Sequence, residues 1–268
     1  MLSKFKYHAK VFGLGLIEEW KKNAWDSSSE KTHTLQVIDN QSFTFTHFGA
    51  ITKILHSRQH LVSRKKSFEY DTLNRYSELL NEGNIVLDIG ANVGIFSLLG
   101  ARIVGKTGKI YAFEPSQLTY DALSENINLN KAINIFPQKL ALSNTEGTIH
   151  LGDSEDDALN FIDVKNENPK GEVVEMLLLD NWLKINQITK VDFIKIDIEG
   201  AEYLCFQGAT EMFKNTPPTI IMECNEKWCK RFEYTVFDLL KFLNNFGYTF
   251  EQYEEAQWIC YPPKAAKA

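Results

Sequence analysis

The sequence predicts an α/β chain built on a doubly wound, mostly parallel seven-stranded sheet with an antiparallel hairpin at its C-terminal edge. Three observations carry this reading. Short apolar runs alternate with helically spaced segments between residues 84 and 247, and the first run ends in a glycine turn. The last two runs, "YTFEQYE" and "QWICYP", are joined by too few residues for a helical crossover. Strand–helix alternation places parallel strands under helices on both faces, and a short connection forces antiparallel pairing.

Each element follows from local pattern. Residues 1–66 read as an extension of short strands, "TLQVID", "SFTFTH" and "ITKILH", separated by Asn, Gln and Gly turn signals. In "SFEYDTLNRYSELLNEG" (67–83), Phe68, Leu73, Tyr76, Leu79 and Leu80 recur at helical spacing and Gly83 supplies the stop. "NIVLDI" is a strand, and "VGIFSLLGARIV" the helix after its turn. "KIYAFE" is the next strand, followed by the helix "SQLTYDALSENINLNK" with Ser116 as N-cap. "INIFPQKLAL" reads as a third strand interrupted at Pro137, with a polar, partly β insertion over 144–176 and a short helix in "LLLDNWLKIN". "VDFIKID", the helix "GAEYLCFQGATEMFKN", "TIIMEC" and the helix "VFDLLKFLNNFG" complete the alternation. The expected organisation is an extension over 1–66 that caps the substrate, a main domain over 67–262, and a tail over 263–268.

Composition bounds the function classes. With 44% hydrophobic and 24% charged residues the chain can bury a sizeable core without disulfides or metals. A net charge of -6 gives no basic footprint for nucleic acid, and the cationic stretch "SRQHLVSRKK" reads as a solvated face. The apolar stretch "VFGLGLI" ends at Glu18 and Glu19, offers no small-residue cleavage site, and is far too short to cross a bilayer. Cys205, Cys224, Cys229 and Cys260 have no metal-ligand spacing and no CxxC pair, which suggests a reducing, cytoplasmic setting.

The chemistry is expected just past the strand ends, where open α/β sheets bind ligands. In "DIGANVG" (88–94), Asp88, Gly90 and Gly94 suit a nucleotide loop, but Asn92 stands where the backbone of a dinucleotide loop must approach a pyrophosphate. That disfavours NAD and FAD, and the absence of GK[ST] excludes a P-loop. Glu114 closes the next strand, where a carboxylate can accept both ribose hydroxyls. A nucleoside without phosphates fits this set. S-adenosylmethionine is one, and its cationic tail favours a nearby carboxylate such as Asp88.

"VLDIGANVGIFSL", "IYAFEPS", "LALSNTEGTI" and "FIKIDIEGAEYLCFQGA", followed by "PTIIMEC", resemble the FkbM family of class I S-adenosylmethionine-dependent methyltransferases, which have a Rossmann-like sheet. "KIDIEGAE" is the specific part, and the resemblance covers about residues 67–254. It implies that Asp88, Gly90, Ala91, Asn92 and Gly94 line the methionine and ribose portion of the cofactor. Glu114, with Pro115 beside it, would hold the ribose, and Ala141, Leu142 and Ser143 the adenine. Asp197 would face the reacting methyl.

Side chains alternate along a strand, so Lys195 and Asp197 share one face of "VDFIKID". Buried, Lys195 needs Asp197 or Glu223 as a partner. The general-base candidates are Asp197, Glu199 and a Lys195 of depressed pKa. Glu202 belongs in the first turn of the next helix, complementing its dipole, and His150 reads as a surface residue of the insertion. Asp197, Glu223 and Asn225 are oxygen donors that a divalent ion could use, but no metal site is assigned. The expected activity is O-methylation of a hydroxyl on a sugar, glycan or secondary metabolite. An NAD-linked oxidoreductase or epimerase, and a non-catalytic cofactor-binding module, are the other readings.

Overall fold

The computed structural model describes residues 32–46, 69–152, 161–162 and 171–264. The expected strand "ITKILH", the basic stretch 57–66, and residues 1–31 and 265–268 lie outside them.

Parallel strands β3 (Ile85–Ile89), β4 (Lys109–Phe113), β5 (Ile135–Gln138), β10 (Phe193–Ile196) and β11 (Thr219–Glu223) form the body of a seven-stranded sheet. β12 (Thr249–Gln252) and β13 (Gln257–Tyr261) are antiparallel to each other, and β13 is antiparallel to β11. The strand order β12-β13-β11-β10-β3-β4-β5 makes β10 the central strand with β3 beside it, and the order reverses between β3 and β10. Pro137 is tolerated because β5 is an edge strand, where a missing N–H need not break a ladder.

Two buried clusters cover the two faces. One holds Val86 and Phe193 together with residues of α1 (Tyr70–Leu79), α2 (Ile95–Val104) and α3 (Gln117–Leu129). The other holds Leu87, Ile89, Ile194 and Ile196 with residues of α4 (Leu179–Ile185), α5 (Glu202–Gln207), α6 (Thr210–Asn215) and α8 (Val236–Asn244). The alternation of Phe193 and Ile194 between faces is the period-two pattern expected of β10. The hairpin of β1 (Thr32–Ile38) and β2 (Gln41–Thr46) puts Leu35, Val37, Phe43 and Phe45 into the first cluster. Asn126 of α3 and Asn130 at its C-cap accept hydrogen bonds from the Thr46 and Thr44 amides, respectively.

Three local expectations need correction. "INIFPQKLAL" is not one strand, because β6 (Ala141–Leu142) leaves the main sheet and pairs with β9 (Val173–Leu177). With β7 (Gly147–Gly152) and β8 (Phe161–Ile162) it forms a second, four-stranded sheet. The helix expected over 200–215 is two helices, α5 and α6, divided where Gly208 packs against the Ser143 carbonyl: a β-carbon there would lie 2.2 Å from that oxygen. Ser116 stands at the N-cap of α3 without a side-chain capping bond, and the Glu172 carboxylate accepts from the Gln117 amide instead.

Candidate active site

The strand ends bring the predicted loop and acids together. After β3 the chain turns through Gly90 at φ +81° and Asn92 at φ +50°, both left-handed. Asparagine is among the few residues with a side chain that tolerate that region. The Asn92 side-chain oxygen accepts from the Val93 amide at 2.8 Å, and its own amide donates to Glu114 Oε2 at 3.0 Å. Asn92 therefore performs the turn that a middle glycine would otherwise make. Glu114 Oε1 accepts from the Ser116 amide at 3.1 Å, so this one carboxylate ties the β3 turn to the β4 exit. The Gly90 and Ala91 amides both donate to the Phe113 carbonyl. Glu114 is 6% exposed, and burial, only partly offset by the two amides, raises its carboxyl to about 7.

Beneath the turn, Asp88 lies in register with Lys195 on β10. It is fully buried; Oδ2 accepts a short hydrogen bond from the Ser97 hydroxyl, while Oδ1 has no partner among the described residues. Burial raises its pKa, against the opposing pull of Lys195 and Ser97. The Tyr76 hydroxyl, also fully buried, is likewise unpartnered among them.

Lys195 is 6% exposed, lies 3.5 Å from Asp197 Oδ2, and sits 4.7 Å from the centre of the Phe96 ring. Burial alone would lower its pKa, but Asp197, Asp88, Glu69 and Glu223 together raise it above the ordinary lysine value. This corrects the depressed value expected for Lys195: four carboxyls outweigh desolvation, and the amine stays charged.

The loop after β10 is the other half of the site. Asp197 is half-buried, and its amide donates to the Ile89 carbonyl at 3.0 Å. A β-carbon on Gly90 would stand 1.9 Å from the Asp197 carbonyl oxygen, so the two loops touch backbone to backbone. Glu199 follows at φ +55°, with Oε2 buried and unpartnered among the described residues. Burial first, then Asp197 and Glu202, raise Glu199 to about 8 against the pull of Arg231 and Lys227. Glu202 is more than a helix-dipole acid. It is 1% exposed; Oε1 accepts from the Ile198 and Gly200 amides at 3.0 and 3.2 Å, and Oε2 from the Tyr234 hydroxyl at 3.1 Å. The single Tyr234 hydroxyl proton is shared between that oxygen and the closer Gly200 carbonyl at 2.7 Å, which clamps the loop.

Other predicted residues are placed differently. Ala141, Leu142 and Ser143 are buried, and the Ser143 amide donates to the Leu177 carbonyl at 3.0 Å. Pro115 is half-buried between Glu114 and the start of α3. His150 lies on β7 with Nδ1 3.2 Å from the Gly171 carbonyl. Asn225 caps α7 (Glu226–Cys229), accepting from the Lys227 amide at 2.9 Å, and Glu223 Oε2 accepts from Gln257 Nε2 at 2.8 Å. Among the described residues no three His, Cys, Asp or Glu side chains are grouped as metal ligands. All four cysteines are free and buried.

Glu69 was missed by the sequence reading. It precedes α1 at φ 48° and makes no side-chain cap. Burial, and the nearby Asp197, Glu254 and Asp88, raise its carboxyl to about 7 despite Lys195. Nothing in its spacing separates it from a helix residue, and only the fold brings it to the strand ends. The clamp from Tyr234 is equally silent in sequence, since it joins residues 32 positions apart.

Comparison with known proteins gives this arrangement a family. The solved structure of methyltransferase FkbM from Methylobacillus flagellatus KT superposes with a TM-score of 0.50 at 14% identity, covering 69% of this chain and 48% of that one, a likeness of fold. Hexuronic acid methyltransferase AglP of Haloferax volcanii is 25% identical over 153 residues, or 57% of this chain and 61% of AglP. Methyltransferase sdnD of Sordaria araneosa is 29% identical over 185 residues, 58% of this chain and 69% of its own. The chain thus spans about three fifths of the length of AglP. The model of the methyltransferase FkbM domain matches residues 88–250, from the Asp88 turn into β12, and the chain belongs to this family of S-adenosylmethionine-dependent methyltransferases.

Proposed function

We propose that the chain is an O-methyltransferase that transfers the methyl group of S-adenosylmethionine to a hydroxyl of a sugar, glycan or secondary metabolite. The observation that carries this reading is the meeting of two strand-end loops at Gly90 and Asp197, with buried carboxyls on both sides. Two features fit the cofactor. Each Glu114 oxygen accepts one backbone amide and keeps acceptor capacity for a ribose hydroxyl. Asp88 presents an unpartnered Oδ1 at the sheet centre, and an excess of carboxyls over the single Lys195 suits a ligand with a positive tail. A diphosphate bridge would meet the same acids unfavourably. AglP is named a hexuronic acid methyltransferase, which supports a sugar acceptor, and sdnD is named a methyltransferase, which supports the reaction class.

In this reading residues 88–94 and Glu114, with Pro115, hold the methionine and ribose portion, and Ala141, Leu142 and Ser143 border the adenine. When bound, the cofactor supplies an electrophilic methyl on a sulfonium. The protein contributes position, worth about 7–11 kcal/mol in well-oriented reactions. It also contributes a base near the acceptor hydroxyl, worth a factor of about 10²–10⁴. Asp197 takes the acceptor proton: it is half-buried where Asp88 is fully buried, and the Lys195 ammonium lies 3.5 Å from it. Glu199 joins as a base only as pH approaches about 8. Lys195 orients and neutralises. Acceptor choice is assigned to residues 1–66.

Calorimetry with S-adenosylmethionine, S-adenosylhomocysteine and NAD tests the assignment. Binding of the first two without NAD is expected, and NAD binding alone would overturn it. A mass gain of one methyl on candidate acceptors tests the chemistry, and Asp197→Asn is expected to lower turnover more than cofactor affinity.

A further inference from the structure

Two polar atoms beneath the cofactor turn, the Tyr76 hydroxyl of α1 and Asp88 Oδ1 of β3, have no partner among the described residues, and both side chains are fully buried. Each loses water on folding, and leaving either without a hydrogen bond is costly. The two lie on the same side of the sheet, against one helix. Asp88 Oδ2 accepts from the Ser97 hydroxyl of α2, and a β-carbon on Gly100 of α2 would stand 2.3 Å from the Tyr76 hydroxyl oxygen. Ser97 and Gly100 are three positions apart and so share a helix face. Gly100 makes the room: glycine inside a helix is less stable than alanine, yet the space of its missing methyl is the one the hydroxyl takes. The hydroxyl, and not only the ring, is thus built into the packing. The Tyr76 ring stands edge-on to Phe96 at 5.3 Å and to Phe193 at 5.4 Å. Lys195 is in register with Asp88, and its ammonium lies 4.7 Å from the centre of that same Phe96 ring. Burial, and then the Asp88 charge, raise the Tyr76 phenol well above its ordinary range, so it keeps its proton and is a donor.

We propose that Tyr76 and Asp88 share an internal water, with Lys195 as its third neighbour, and that through this water Tyr76 is a positioning residue for the carboxylate that meets the methionine end of the cofactor. The water accepts from the Tyr76 hydroxyl and from the Lys195 ammonium, and it donates to Asp88 Oδ1. That gives it about three polar partners, the usual number for a buried water. A carboxylate oxygen has two lone pairs, so Oδ1 keeps one for the positive tail of the ligand. With Ser97 on Oδ2 and the water on Oδ1, both oxygens are held, and the carboxylate is set before the cofactor arrives. This deepens the methyltransferase reading and rests on its assignment of Asp88 to the cofactor.

A high-resolution crystal structure of the wild type is expected to show a water within hydrogen-bond distance of both the Tyr76 hydroxyl and Asp88 Oδ1. Tyr76→Phe keeps the ring contacts and removes only the hydroxyl. Removing a hydroxyl that had no partner would raise the urea midpoint, whereas removing a bridged one is expected to lower it. Calorimetry compares S-adenosylhomocysteine with 5′-methylthioadenosine, which keeps the adenine and ribose and lacks the amino-acid end. Tyr76→Phe is expected to weaken the first by about three-fold or more, the scale of one net hydrogen bond, and to leave the second unchanged. A role in packing alone would weaken both together. Absence of the water, a raised or unchanged midpoint, or an equal loss for both ligands would overturn the proposal. Wild-type protein that binds neither ligand would refute the cofactor reading itself, whereas wild-type binding without the selective loss would refute the role of Tyr76 alone.

Discussion

Replacing Gly90 by alanine tests the contact on which the site is built. Gly90 has φ +81°, and an added β-carbon would meet the Asp197 carbonyl oxygen at 1.9 Å, its carbon at 2.9 Å and Ile198 Cγ2 at 3.0 Å. The left-handed conformation costs a residue with a side chain about 1–2 kcal/mol. Forcing a methyl into packed backbone costs about 1–3 kcal/mol more, because the Asp197–Ile198 peptide is held by the Ile198 amide donating to Glu202 Oε1 and cannot swing aside freely. The expected loss for Gly90→Ala is thus about 2–5 kcal/mol. Gly83→Ala is the matched control: φ is +84°, and its β-carbon would make only an ordinary 3.6 Å contact with Thr107 Oγ1. Strain and the change in unfolded-chain entropy are common to both substitutions, so their difference isolates the loop contact.

Urea unfolding followed by circular dichroism gives both values. Gly90→Ala is expected to be the less stable by about 1–3 kcal/mol, a gap of about 2–12 °C in Tm for a domain of this size. Cofactor affinity should fall in Gly90→Ala and persist in Gly83→Ala, because only the former pushes the Asp197 loop off the glycine turn. Equal stability of the two variants would refute the close approach and the shared site with it.

Three further outcomes follow from the buried acids. Glu114→Ala is expected to weaken S-adenosylhomocysteine binding about ten-fold or more, since hydrogen bonds to charged groups are worth roughly 1.5–3 kcal/mol; unchanged affinity by calorimetry would remove Glu114 from the ribose site. Glu69, Glu114 and Glu202 are raised to about 7, Glu199 to about 8 and Glu223 to about 9, in each case mainly by burial. The folded protein therefore binds more protons than the unfolded chain between pH 4.5 and these values, so stability should fall as pH rises through that window; a urea midpoint that is flat or rising from pH 5.5 to 8.5 would contradict this. Lys195→Met leaves Asp88, Asp197, Glu69 and Glu223 without their cation, a loss of about 3–5 kcal/mol for a broken buried pair. That loss should be larger at pH 8 than at pH 5.5, where protonated carboxyls need no counter-charge, and an equal loss at both would point to packing alone.

The sheet was legible because its evidence is local. Apolar runs, glycine turns and alternation along "VDFIKID" are written within a few residues, and the faces of Phe193 and Ile194 came out as the two-residue period demands. The short link between β12 and β13 likewise admitted one pairing. The errors arose where tertiary contacts decide. Nothing within "INIFPQKLAL" says that Ala141 and Leu142 pair with Met176 and Leu177 rather than continuing β5. Gly208 reads as a tolerated helix glycine until the Ser143 carbonyl is set against it. The sign of the Lys195 shift was out of reach for the same reason. Its partner Asp197 is visible two residues away, but Asp88 and Glu69 come from elements more than 100 residues earlier, and their sum reverses the effect of burial.

That surplus of acid predicts how the cofactor is felt by the protein. In the free protein Lys195 faces four carboxyls, and Glu69 and Glu223 relieve the repulsion by holding protons to about pH 7 and about pH 9. A ligand that brings positive charge to these strand ends lowers those values, because an opposite charge within several ångströms favours the ionised form. Binding of S-adenosylmethionine near pH 7.5 should therefore release protons, whereas S-adenosylhomocysteine, whose sulfur is uncharged, should release fewer. Calorimetry in phosphate and in Tris, which differ widely in ionisation enthalpy, measures the difference directly as a buffer-dependent heat. The dependence should diminish in Glu223→Gln, which cannot give up a proton. Equal heats in both buffers, or proton uptake, would mean that the positive tail does not lie among these acids, and Asp88 and Asp197 would then have to be assigned to the frame of the sheet rather than to its ligand.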